Sequence, residues 1–209
     1  MALENRSEGN YITIYDGKFS QRVPEGTEGA VRRINKNGKE VFEKYYDSFT
    51  GKLVNIQTKD GAYGKSWIFS FVDKGDVYQL QLNYSNSFAT QFLKILPNID
   101  LTKEMKVSPS VKIDEAGKKK SSLFVNQDGN ALKHAYTRDN PNGLPPMDQV
   151  KVKGVMQWDD SAQLAYLEEM VNRDILPKLP KTATVSATDT TDELAGMFET
   201  ATTSDENDY

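Results

Sequence analysis

Residues 66–84 read SWIFSFVDKGDVYQLQLNY, two strand-like runs on either side of Asp73-Lys74-Gly75-Asp76. In the second run Tyr78, Leu80, Leu82 and Tyr84 fall on one face and Gln79, Gln81 and Asn83 on the other, the period of two that marks a half-buried strand. The first run, SWIFSFV, is apolar on both faces, so Trp67, Phe69 and Phe71, or else Ile68 and Val72, must meet something other than water. A helix or a row of nucleobases would serve.

The chain on either side repeats strand chemistry. Upstream, YITIYDGKFSQRV (11–23) folds about Asp16-Gly17, a dipeptide that readily takes the positive φ angles of a tight hairpin. Asn37-Gly38 marks a second hairpin within AVRRINKNGKEVFEKYY, and FTGKLVNIQT (49–58) is a β-branched strand. Downstream, SNSFATQFLKIL (85–96) changes period: Phe88, Phe92, Leu93 and Leu96 form a helical stripe behind serine and asparagine caps, and Pro97 stops it. Strands resume in EMKVSPSVKID and in SSLFVNQDGNALKHAY, which turns at Asp128-Gly129, and VKVKGVMQW reads as a last strand. A second helix follows Asp159-Asp160-Ser161, with Leu164, Leu167, Met170 and Val171 on one stripe until Pro177.

The fold class is therefore mainly β, with one helix inside the strand series and one near the end. A five-stranded Greek-key barrel maps onto residues 41–113, with strands near 41–47, 51–59, 66–72 with 77–84, a helix 86–96 and a strand 105–113. That order favours an oligonucleotide-binding (OB-fold-like) barrel with extra hairpins, although a sandwich fits the same strands. After Pro180 the chain is Thr, Ala, Ser and acids, too poor in apolar residues to offset the entropy of ordering. We divide it into a folded domain, 1–181, and a disordered acidic tail, 182–209.

Charge is divided in the same way. Residues 182–209 hold seven acids and no Lys or Arg, so the overall −4 conceals a body of +3. A basic body with an acidic tail is a statement about partners. There is no cysteine, which removes disulfides and thiolate ligands, and the single His134 builds no metal cluster. No catalytic site, metal or cofactor is expected. Gly61-Ala-Tyr-Gly-Lys-Ser66 has two residues between its glycines and a strand after it, where a phosphate loop needs four and a helix. Asp159-Asp160 reads as helix capping rather than acid–base chemistry. With no long apolar run and no signal-like N-terminus, the expected compartment is the cytoplasm, away from membranes.

What remains is bases interleaved with aromatics, the combination that tracks phosphates and stacks on unpaired bases. The candidates are Arg32, Arg33, Lys44, Tyr46, Lys52, Lys65, Trp67, Phe69, Lys118, Lys119, Lys120, Phe124 and Tyr136. Trp67 beside Lys65 is the leading stacking candidate; Phe69 suits either a core or a base, and Lys118-Lys119-Lys120 forms a basic finger.

The tail closes the reading. TTSDENDY places Asp205, Glu206 and Asp208 beside a terminal aromatic, Tyr209, which suits docking of the ring in an apolar pocket ringed by bases. On Asp205-Glu206-Asn207-Asp208-Tyr209 and the strand–helix–strand order of 66–113, the chain resembles the single-stranded DNA-binding proteins of bacteriophages, especially the short-tailed coliphage type. Those tails end in phenylalanine where this one ends in tyrosine; the proline of bacterial tails is absent here, which favours the phage comparison. The resemblance implies a body that coats single-stranded DNA without sequence preference in replication, recombination and repair, in the cytoplasm of a bacterial host. It also implies a tail that recruits replication proteins such as DNA polymerase, with a homodimer left open. The alternative is a virion structural or assembly protein with an oligomerising β-rich body.

Overall fold

The structure, a computed structural model, describes residues 10–35, 38–62, 64–152 and 154–180. The expected disorder of 182–209, and Asp205, Glu206, Asp208 and Tyr209 with it, lie outside the described residues. The alternation that opens the argument is realised in an antiparallel pair, β6 (Gly64–Asp73) and β7 (Asp76–Asn83), with Trp67 opposite Leu82, Phe69 opposite Leu80 and Ser70 opposite Gln79. On the other side of β6 lies β5 (Phe49–Gly61), thirteen residues long and bulged between Leu53 and Asn55. Beyond the bulge the start of β5 pairs with β8 (Met105–Ile113), which forms a hairpin with β9 (Lys119–Gln127).

The N-terminal hairpins complete the sheet. Strands β1 (Asn10–Tyr15) and β2 (Lys18–Val23) turn at Asp16-Gly17, and β3 (Val31–Ile34) pairs with β4 (Glu40–Tyr46), both as expected from sequence. With the two-residue β10 (Asn130–Ala131), the order is β10-β9-β8-β5-β6-β7-β1-β2-β4-β3. Every pair is antiparallel except β1–β7. The expected closed barrel is not formed: β7 is hydrogen-bonded to β1 and β9 to β10, so these two strands do not pair with each other. The sheet curls all the same, until the β1–β2 turn abuts β8. Gly17 is buried there, and a Cβ on it would lie 2.5 Å from the backbone nitrogen of Val111.

The inner face of the curl carries Ile12, Ile14, Phe19, Leu53, Ile56, Trp67, Phe69, Phe71, Leu80 and Leu82. It is capped by α1 (Ser87–Ile95), which sits between β7 and β8 and buries Phe88, Phe92 and Leu93. The Asn86 side chain caps this helix by accepting from the Phe88 N–H at 2.9 Å. The second helix, α2 (Ser161–Met170), buries Leu164, Leu167 and Met170 and runs on through a π-helical turn, Val171–Ile175, and a 3-10 turn, Leu176–Lys178. Asp159 holds its start by accepting from the Ser161 N–H at 2.9 Å. No helix among the described residues is long and apolar enough to cross a membrane.

The segment read as one last strand is a hairpin of its own. β11 (Asp148–Val152) and β12 (Val155–Asp159) reverse about Gly154, whose φ is 89°, and they form a separate two-stranded sheet.

Candidate nucleic-acid interface

Strand parity sorts the sheet into an apolar inner face and a polar outer one. From the registers, the outer face carries Asn55, Gln57 and Lys59 on β5, Ser66, Ile68 and Ser70 on β6, and Gln79, Gln81 and Asn83 on β7. It continues as Tyr11, Thr13 and Tyr15 on β1, Lys18, Ser20 and Arg22 on β2, and Glu43 and Tyr45 on β4. Thr13, Ser20, Glu43, Ser66, Ser70, Gln79 and Gln81, most of the buried polar residues described, share this surface. Glu43 is the one carboxylate on these strand positions, against Lys18, Arg22, Arg33 and Lys59.

Glu43 is itself neutralised. The Arg33 guanidinium grips it by donating from Nε to Oε2 at 3.1 Å and from Nη2 to Oε1, and the Tyr45 hydroxyl donates to it at 2.8 Å. Burial pushes the Glu43 carboxyl up, but Arg33 and Tyr45 outweigh it and hold the group below its ordinary value. Burial, with Glu43 as acceptor, lifts the Tyr45 phenol to about 12, so it stays protonated. The Arg33 guanidinium also lies 5.7 Å above the Tyr15 ring, and Tyr15 and Tyr45 are 6.3 Å apart. The result is a tyrosine–arginine cluster beside a run of amides and hydroxyls.

A second strip extends this face over β8 and β9. Lys106, Ser108, Ser110 and Lys112 lie opposite Asn126, Phe124, Ser122 and Lys120, without a carboxylate among them. Phe124 is 50% exposed at its centre. The nearest acid, Asp114, sits in the connecting turn, 3.5 Å from Lys120.

The structure thus places Arg33, Lys52, Lys120 and Phe124 of the sequence candidates on the outer face. Lys118 and Lys119 lie at the β8–β9 turn, where Lys119 faces Asp16 at 3.6 Å. Arg32, Lys44 and Tyr46 point to the opposite side of β3–β4; Arg32 is ion-paired with Glu40.

Four candidates need correction. Trp67 is 1% exposed, stacked on Tyr84 with centroids 5.4 Å apart, and its indole N–H donates to the Tyr84 carbonyl. Phe69 is fully buried against the edge of Phe92, and Tyr136 is buried against Tyr166. The apolar face of WIFSFV is thus met by α1 rather than by bases. Lys65 is taken by α2: its ammonium donates to both Glu168 oxygens at 2.6 and 2.7 Å, and the Tyr84 hydroxyl donates to the same carboxylate at 2.6 Å.

Sequence reasoning missed Tyr11, Tyr15, Arg22, Lys59, Gln79 and Gln81. The alternation of Gln79 and Gln81 with leucines did mark a polar face, but nothing local told that β1 and β2 would extend it. Among the described residues no group of His, Asp and Glu is placed to hold a metal ion. No protein-family model matches the chain, and no curated protein or solved structure matches it.

Proposed function

We propose that this chain binds single-stranded DNA without sequence preference, the strand lying across the outer face of the curled sheet. The observation that carries the reading is the composition of that face. Exposed and half-buried tyrosines at 11, 15 and 45 supply stacking surfaces, Lys52, Lys106 and Lys112 supply phosphate contacts, and the one carboxylate on the strand positions, Glu43, is already neutralised by Arg33.

The strand order supports the same reading. β5, β6 and β7 form a meander, α1 follows, and β8–β9 returns to pair with the start of β5, an order compatible with the strand series of an oligonucleotide-binding fold without its closure into a barrel. On this reading the chain belongs with the phage single-stranded DNA-binding proteins. It works in DNA replication, recombination and repair in the cytoplasm of a bacterial host, and its acidic tail recruits replication proteins.

Fluorescence anisotropy of a labelled oligothymidylate tests the proposal. We expect tighter binding to the single strand than to a duplex of equal length, weakening linearly on a log–log plot as salt rises. Equal affinity for both, or no binding at low salt, overturns it.

A further inference from the structure

The β11–β12 hairpin is the part of the described molecule least explained by the fold. Its strands pair only with each other, and an isolated two-stranded hairpin is marginal in water without something to pack on. Yet it carries exposed apolar residues on both sides. The register puts Asp148, Val150, Val155, Gln157 and Asp159 on one side and Gln149, Lys151, Met156 and Trp158 on the other. Trp158 is 48% exposed and Met156 50%, while the chain's other tryptophan, Trp67, is sealed in the core.

Charge decides between occupants. The side that carries Trp158 and Met156 holds Lys151 and no acid, because the register puts Asp148 and Asp159 on the opposite side. A second copy packed on this side would bring it another Lys151 and no acid, whereas a polyanion offers the opposite charge. Trp158 and Lys151 share one side of the hairpin, an aromatic plane beside a cation, with the Gln149 amide across from the ring. That set suits a base and its phosphate.

We infer that the β11–β12 hairpin is a second contact for single-stranded DNA, a projecting clamp in which Trp158 stacks on a base and Lys151 meets the backbone. This rests on the single-stranded DNA reading of the sheet face and adds a site to it. Bound DNA then has two anchors, one on the curled sheet and one on the hairpin.

The test uses the full chain and two signals, anisotropy of a labelled oligothymidylate and intrinsic tryptophan emission. In the wild type, saturating oligonucleotide should quench emission, and the quenching should come from Trp158 because Trp67 is out of reach. Trp158→Phe should lose the quenching and keep affinity within about twofold. Trp158→Ala should weaken binding about tenfold, and Lys151→Gln should lower the salt slope by about one. Both Trp158 variants should melt with the wild type, since the hairpin pairs with no other strand.

If the wild type fails to bind the oligonucleotide, the inference falls together with the sheet-face reading. If the wild type binds but Trp158→Ala binds equally well and no quenching is seen, the clamp alone is overturned. A wild-type dimer that dissociates in Trp158→Ala at unchanged DNA affinity would assign the hairpin to a second copy, and likewise overturns it.

Discussion

The two faces of β6 and β7 are built from alternate residues of the same nineteen-residue stretch, yet they do opposite work. Inward, Trp67, Phe69, Phe71, Leu80 and Leu82 are closed by α1 and contribute stability. Outward, Ser66, Ser70, Gln79 and Gln81 contribute little apolar burial and form the buried polar floor of the face proposed to meet DNA. The comparison teaches that aromatic content does not locate a stacking site: the rings of β6 and β7 went to the core, and the tyrosines left outside lie on neighbouring strands. A one-residue slip of register would exchange the two roles.

Substitutions on one face should move stability and on the other affinity, and the largest effect belongs to the inner face. Phe69→Ala removes a fully buried ring packed on Phe92 and should cost about 3–5 kcal/mol in urea unfolding. A smaller loss would show that α1 can collapse onto the gap. Next comes the point where the curl meets itself. Gly17 has φ 74° and no room for a Cβ, so Gly17→Ala should cost about 1–3 kcal/mol by the same assay.

Glu168 tests how α2 is held against the inner face. Burial raises its carboxyl, but Lys65 and Tyr84 outweigh burial and hold it below its ordinary value. Its contribution is therefore full above the unfolded value, about 4.3, and is lost as pH falls through the folded value. Glu168→Gln should cost about 1–2 kcal/mol at neutral pH and flatten the acid limb of the stability curve. A wild-type-like acid limb would remove Glu168 as its cause. The smallest stability change belongs to the outer face: Tyr15→Ala should shift the melting temperature little while weakening oligonucleotide binding about tenfold. Lost stability with unchanged affinity would reverse the assignment of the two faces.

Much of this was legible beforehand because it is local. Period-two alternation marked β7, Asp16-Gly17 and Asp128-Gly129 placed their turns, and Asn86 before a 3.6-period stripe placed α1. The sense of WIFSFV was not legible, since Ile68 and Phe69 are equally apolar and only the arrival of α1 distinguishes their faces. Nor was the union of the N-terminal hairpins with the sheet, which depends on Tyr11 lying beside Gln79, a pairing across nearly seventy residues with no local signal. VKVKGVMQW hid its turn because the valines and lysines alternate up to Gly154 as they would in one continuous strand.

The parallel pairing of β1 with β7 also orders events in time. The β5–β6–β7 meander joins neighbours in sequence and can nucleate early, whereas docking the N-terminal hairpins must first close a far longer loop from β1 to β7. The outer face spans that junction, with Gln79 on one side and Tyr11 on the other. We therefore expect amide protection in β6 and β7 to precede that in β1 during refolding, and binding competence to follow β1 rather than collapse. On the proposed function, a chain released from the ribosome would pass through a stage that is compact but still blind to DNA.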